Sequence, residues 1–184
     1  IDAPEWWGRY QPVDHQRIEG PLGSEAELRE LCAAAHAQGL AVIVDVVLNH
    51  MAKGCPHYET LQYPRFGPEH FHPRAAVDYN DVRSIREGWI GHGPDLPDLK
   101  TTHPHVRSEA VRYLQLLRDC GADGFRFDAV KHIEPAFFDA VLAGLPASVF
   151  RYGEYILQPG HRALLDDYLR TMKLMDFGLH QALG

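Results

Sequence analysis

A capped helix that runs directly into an unbroken apolar strand constrains this 184-residue chain more than any other feature. Ser24-Glu-Ala-Glu27 is a capping box, in which the Ser24 hydroxyl and the Glu27 carboxylate can each satisfy the other's free backbone N–H. Leu28, Leu31, Cys32 and Ala35 then recur at helical spacing, and Gly39 is placed to end the segment. Immediately afterwards Ala41-Val-Ile-Val-Asp-Val-Val47 is almost wholly apolar and β-branched. Such a run suits a parallel strand covered on both faces better than a half-exposed antiparallel one.

The same step repeats. Pro104 suits a first helical turn, Val106, Ala110, Tyr113, Leu114 and Leu117 form an apolar stripe, and Gly121 stops the helix before a short strand, Gly124-Phe-Arg-Phe-Asp128. Further helix and strand patterns follow: a helix over 135–142 and a strand over 149–153, then a helix over 161–172 and a strand over 174–177. Repeated units of this kind imply an α/β fold with a parallel sheet, either doubly wound or closed as a barrel. Residues 51–103 break the rhythm. They are rich in Pro, Gly, His and aromatics without sustained periodicity, and so long a loop inside a compact domain reads as a functional insertion.

A net charge of -7 argues against nucleic acid as a partner, because phosphate binding needs clustered Lys and Arg. No apolar run approaches a membrane span, and no secretory signal is visible. The 3 cysteines fit no metal motif. Cys32 and Cys120 fall on or at the end of amphipathic helices and read as buried free thiols. His70-Phe-His72 and His103-Pro-His105, among 12 histidines, invite a zinc reading. No His-Glu-x-x-His helix or Cys/His ligand cluster accompanies them, which favours scattered surface histidines. Trp6, Trp7 and Trp89 are candidates for stacking on the apolar face of a sugar ring or for ordinary packing.

Polar groups mark the strand ends: Asp45 and Asn49 at the first, Asp128 at the second, Glu154 at the third. In a parallel βα barrel the adjoining loops converge on that edge to form the active site. Arg126 lies two residues before Asp128, hence on the same side of the strand, where its guanidinium is expected to lower the Asp128 pKa and keep that carboxylate ionised. Glu154 has no cation beside it in sequence, and burial is expected to raise its pKa. Two carboxylates in different environments, one nucleophilic and one acidic, are what glycosidic cleavage requires.

Asp45-Val-Val-Leu-Asn-His50, Gly124-Phe-Arg-Phe-Asp-Ala-Val-Lys-His132 and Gly153-Glu154 resemble, in order and context, three signature segments of the α-amylase family, glycoside hydrolase family 13. Leu96-Pro-Asp-Leu99 resembles a fourth, and Trp7-Gly-Arg-Tyr-Gln-Pro-Val-Asp14 with Gly20-Pro-Leu-Gly23 resembles the region after the second barrel strand. The resemblance implies a partial (β/α)8 TIM barrel, from about strand two or three to strand six, with an irregular insertion domain after strand three. Residues 1–50 would be one barrel part, 51–103 the inserted domain and 104–184 a second barrel part.

It further implies hydrolysis of internal α-1,4 bonds in a starch-like α-glucan, with Asp128 as nucleophile, Glu154 as acid/base and Arg126 orienting Asp128. His50, Lys131 and His132 would bind sugar hydroxyls, and Tyr10 would be a stacking platform. Asn49, Asp98 and the main-chain carbonyl of His132 would contribute to a Ca2+ site, while Asp45 would be structural. The family uses a third carboxylate, in a His-Asp pair after the seventh strand. Asp166, Asp167 and Asp176 lie in no such context, so the 184-residue chain by itself is expected to be inactive. Lys100 departs from the Asn or Asp common at its position. An α-glucan transglycosylase or α-glucosidase of the same family, or a non-catalytic amylase-like binding subunit, are the alternative readings.

Overall fold

A computed structural model describes residues 6–157 and 161–183. After a 3-10 turn at Trp6–Tyr10, β1 (Glu19–Gly20) and β2 (Gly23–Ser24) form a small antiparallel ribbon that leads into α1 (Glu25–Ala37). Next come β3 (Ile43–Val46), α2 (Val82–Glu87), α3 (Pro104–Asp119) and β4 (Gly124–Phe127). The chain continues through a 3-10 turn at Val130–His132, then α4 (Pro135–Leu142), β5 (Phe150–Gly153), α5 (Leu165–Leu169), β6 (Lys173–Leu174) and α6 (Phe177–Leu183). The helix stops and starts follow the local chemistry read from sequence. The capping box at Ser24 is formed in full. Gly121 has φ +107°, and a Cβ there would lie 2.7 Å from the Cys32 Cβ, so only glycine lets α1 pack against the end of α3.

β3, β4, β5 and β6 lie side by side, all parallel. Val46, Phe125 and Phe127 face a core built with Val106, Ala110, Leu114 and Leu117 of α3 and with Phe137, Phe138 and Val141 of α4. The opposite face carries two cross-strand rows, Ile43–Gly124–Phe150 and Asp45–Arg126–Tyr152. A Cβ on Gly124 would meet Ile43 Cδ1 at 2.8 Å and Phe150 Cβ at 2.9 Å, so these two side chains close over the glycine. The parallel pairing is as the apolar run implies, and within these 184 residues the second face is uncovered, with Ile43 36% and Phe150 44% exposed. Helices and core side chains cover only the Val46–Phe127 side, and strand alternation turns Ile43 and Asp45 away from it.

Residues 51–103 contain more order than their composition indicated. Tyr63, Phe66, Phe71, Ile85, Trp89 and Leu99 are buried, and short bridges pair Phe71 with Leu99 and His50 with Asp98. The short helix α2, capped by the Asp81 side chain on Arg83 N–H (2.9 Å), was not anticipated. His15 joins this segment to the sheet. Its Nε2 donates to Val47 O (2.9 Å), and its ring stacks on Tyr113 of α3 and meets the edge of Phe66. Burial pushes His15 down to about 4, which keeps it neutral.

Three helical expectations need adjusting. Leu31 is 58% exposed, so the buried stripe of α1 runs through Leu28 and Cys32 instead. The helix expected over 161–172 is a 3-10 turn at Arg162–Leu164 followed by α5. The last strand ends at Leu174 because the Asp176 carboxylate accepts Leu179 N–H (2.8 Å) and caps α6 at residues expected to stay extended. Cys32, Cys55 and Cys120 are free thiols, the first and last buried. Among the described residues, no helix is long and apolar enough to cross a membrane.

Candidate active site

Asp128 directly follows β4, its N–H bound to Val46 O (2.9 Å), and Glu154 directly follows β5, its N–H bound to Phe127 O (2.8 Å). Both therefore stand at the C-terminal edge of the parallel sheet, where sequence puts them. Asp45 lies inside β3 rather than after it, beside Arg126 in register. One Arg126 terminal nitrogen donates to Asp45 Oδ1 (2.7 Å) and Asp128 Oδ1 (2.9 Å), and the other pairs with Glu154 Oε1 (2.8 Å).

Two electrostatic expectations are overturned. Glu154 does have a cation, because pairing of β4 with β5 sets Arg126 opposite Tyr152, two residues before Glu154. The Asp128 carboxyl is pushed up, not down: burial and then the Glu154 charge outweigh the pull of Arg126. A single guanidinium shared by three carboxylates cannot fully compensate any one of them. Arg126 itself is held more firmly protonated, since Asp45, Glu154 and Asp128 together overcome the opposing effect of burial. The turn after Asp128 is tied to the same place. Ala129 has φ +49°, a left-handed conformation that costs a side-chain-bearing residue about 1 kcal/mol. Its N–H donates to Glu154 Oε2 (3.3 Å), and Val130 N–H donates to Glu154 O (3.1 Å).

Tyr10 joins this cluster through its hydroxyl, which donates to Asp45 Oδ2 (3.0 Å), while the Arg126 guanidinium carbon lies 5.7 Å from its ring centre. His50 is buried, and its Nε2 donates to the Tyr10 carbonyl (2.8 Å), so it props Tyr10 from beneath. Lys131 is buried too. Its ammonium donates to Ile156 O (3.0 Å) and lies 4.9 Å from the Tyr79 ring centre. Burial lowers the Lys131 pKa against the pull of Glu154. His132 Nδ1 donates to Ile85 O (2.7 Å), which leaves Nε2 as the acceptor. Burial sets both His50 and His132 down to about 4.

Behind His50 lie two buried oxygens with no hydrogen-bond partner, Asn49 Oδ1 and Asp98 Oδ1. The other Asp98 oxygen takes His72 Nδ1 (2.7 Å), and burial pushes Asp98 up to about 7. An orphaned buried acceptor costs on the order of 1–3 kcal/mol, and a hard cation relieves it. The Asn49 and Asp98 side chains thus fit calcium. Among the described residues no group of three or more His, Cys, Asp or Glu could hold a metal, so such a site would draw on amide and main-chain oxygens.

The structure also brings in residues that motif spacing missed. His72 pairs with Asp98, Tyr79 covers Lys131, and the Thr101 hydroxyl donates to Glu134, whose other oxygen is unpartnered. His15, His50 and His132 are buried, whereas His36 and His92 are exposed. Trp89 is a packing residue, 4% exposed, with its indole N–H bound to His72 O (3.0 Å). Trp6 and Trp7 remain exposed. A cavity of about 460 Å³ between Tyr58, Phe71, Arg74 and Trp89 lies in the stretch between β3 and α3 and includes neither Asp128 nor Glu154, which stand on the open sheet edge.

The family described as "Alpha amylase, catalytic domain" matches residues 2–86. An alpha-amylase of Aeromonas hydrophila is 36% identical over 180 residues, covering 88% of this chain and 39% of the relative. A variant of alpha-amylase I from Eisenia fetida, solved with maltohexaose, superposes with a TM-score of 0.85 at 28% identity, over 97% of this chain and 41% of its own. Alpha-amylase from Geobacillus thermoleovorans, solved with acarbose, superposes with a TM-score of 0.77 at 25% identity, over 98% of this chain and 40% of its own. The chain therefore spans well under half the length of these relatives. A likeness that runs through nearly all of its residues, in sequence and in backbone, leads to one assignment: the chain belongs to the alpha-amylase family.

Proposed function

We propose that this chain carries the nucleophile and the acid/base of a retaining glycoside hydrolase that cleaves internal α-1,4 bonds of starch-like glucans. One observation carries the reading: Asp128 and Glu154 are held by the two terminal nitrogens of a single guanidinium. Acceptors on one fork sit side by side, in keeping with the carboxyl separation of about 5 Å in retaining enzymes rather than the 6.5–9.5 Å that admits a water. The maltohexaose and acarbose bound by the two solved relatives support an α-glucan as the substrate class.

Asp128 attacks the anomeric carbon while Glu154 gives its proton to the departing glycosidic oxygen, and the sugar is held as an ester. Glu154, now ionised, takes a proton from water as that water attacks the same carbon and frees Asp128. Arg126 holds both carboxyls through its two terminal nitrogens. Tyr10, propped by His50, stacks on the sugar, and Lys131 and His132 supply hydrogen bonds to its hydroxyls, while His50, with its Nε2 bound to the Tyr10 carbonyl, acts through Tyr10 rather than on the sugar itself. β3 to β6 act as strands three to six of a (β/α)8 barrel, with residues 1–50 and 104–184 as barrel parts and 51–103 as the inserted domain. The third carboxylate comes from the rest of that barrel, so turnover requires the longer domain. In that domain, proton NMR during maltohexaose cleavage is expected to show the α-anomer as first product. A β-anomer formed first would rule out the double displacement, and oligosaccharides longer than the substrate would favour the transglycosylase alternative.

Asn49 Oδ1, the Asp98 carboxylate and the His132 main-chain carbonyl are the groups that would hold calcium. The ion would supply the positive charge that the buried oxygens lack and would tie the inserted segment to the end of β3. Calcium at about 100 times its dissociation constant adds about 2.7 kcal/mol, or about 5–10 °C in Tm for a chain of this size. That rise should vanish in Asp98→Asn, and an equal rise in the variant would remove Asp98 from the ligand set.

A further inference from the structure

Three histidines from two motifs that the active site leaves unused meet in space. His70 ends the 3-10 turn Pro68–His70 of the inserted segment, and His103 and His105 stand at the N-terminus of α3. The His70 ring centre lies 4.7 Å from that of His103 and 4.6 Å from that of His105, with Phe66 edge-on to His70 and His105. Their hydrogen bonds define their protons. Gly67 N–H donates to His70 Nδ1 (2.9 Å) and His105 N–H donates to His103 Nδ1 (3.1 Å), so neither Nδ1 carries hydrogen. His105 Nε2 faces the Arg65 carbonyl (2.7 Å) and must be its donor. His70 and His103 are therefore neutral in this arrangement.

We propose that His70, His103 and His105 form an acid-released latch that fastens the inserted segment to the N-terminus of α3. Protonating His70 or His103 puts hydrogen on Nδ1 and turns an acceptor of a backbone N–H into a donor that repels it. At His103 this also removes the cap of α3. Two imidazolium rings at this spacing repel each other as well. The surroundings offer little relief. Glu69 Oε1 lies 3.5 Å from His70 Nδ1 but is largely exposed, and Asp14 is engaged by Arg65. Lys100 binds the Glu69 carbonyl, and Arg107 of α3 binds the Thr101 carbonyl, so neither brings a carboxylate to the rings. Burial, with His105 and His103 nearby, lowers His70 against the pull of Glu69.

The latch closes a short ladder in which Lys100 N–H meets His70 O (2.8 Å) and His72 N–H meets Asp98 O (3.0 Å). Its release would free the segment beside Asp98, whichever reaction the carboxylates perform. Hydrogen exchange of the Lys100 and His72 amides, corrected for the intrinsic effect of pH, reads this directly. About tenfold more opening is expected near pH 5 than near pH 7.5. In the double variant His70→Asn, His103→Asn, where each amide keeps the acceptor without the titration, the response should fall below about twofold. An unchanged tenfold response in that variant would shift the effect to the His72–Asp98 pair and overturn the latch, as would a flat wild-type profile. If the variant does not fold, nitrogen NMR of the wild-type rings decides. Nε2–H tautomers for His70 and His103, with Gly67 and His105 amide shifts that follow their titration, support the latch; Nδ1–H tautomers or unresponsive amides sink it.

Discussion

Asp128→Asn in the full catalytic domain is expected to lower turnover of maltohexaose by roughly 10⁴-fold or more, equivalent to about 5 kcal/mol of transition-state stabilisation. The amide keeps the shape and an acceptor for Arg126 but cannot form the glycosyl ester. Stability should move the other way. Burial and Glu154 already disfavour charge on Asp128, so a neutral side chain at that position relieves repulsion, and the variant should unfold no earlier than wild type. Loss of activity with unchanged or higher Tm would thus separate chemistry from folding. Glu154→Gln should differ in one respect. Its loss is expected to be severe for maltohexaose but much smaller for an aryl maltoside whose leaving group needs no proton. Near-normal turnover of maltohexaose by Asp128→Asn, or equal losses of Glu154→Gln on both substrates, would undo the two assignments.

These positions were legible because their signals are local. A capped helix, an apolar run and a polar residue at its end can be read within a few residues, which is why Ser24, Gly121, Asp128 and Glu154 all stand where expected. The contacts of Arg126 depend instead on register. Nothing near Glu154 in sequence announces a cation, yet pairing of β4 with β5 brings one to 2.8 Å. The direction of the Asp128 shift likewise depends on burial and on a carboxylate 26 residues away, not on the arginine beside it. The apolar run through Val47 gave the parallel strand it implied, although composition does not report that the helices of these 184 residues cover only one side of it. By contrast, the Asp176 cap that ends the last strand was a local signal and could have been read. The three-histidine cluster could not, because it joins segments more than 30 residues apart.

Arg126→Ala should produce the largest loss of stability in the site. Its side chain is 12% exposed, and it is the group that touches Asp45, Asp128 and Glu154 together. Without it Asp128 and Glu154, 12% and 21% exposed, lose their shared cation while Asp45, 42% exposed, stays screened by solvent, so the cost lies towards the lower end of the about 3–5 kcal/mol typical of stripping the partner from a buried charge. That is a large share of the roughly 5–15 kcal/mol that holds a domain together. The deficit should depend on pH with a definite sign. Carboxyls whose pKa is raised in the folded state bind protons there before they do in the unfolded chain, so the variant recovers stability as pH falls from 7 towards 5. Urea unfolding at both pH values measures this on the 184-residue chain without any assay of turnover. Arg126→Lys should recover part of the loss, because a point charge can balance one carboxylate but cannot bridge neighbouring ones. Arg126→Ala combined with Asp45→Asn should be more stable than Arg126→Ala alone, since one repelling charge is gone. A single-variant cost below about 1 kcal/mol, typical of an exposed ion pair, would mean that solvent screens these acids and that Arg126 does not hold them together.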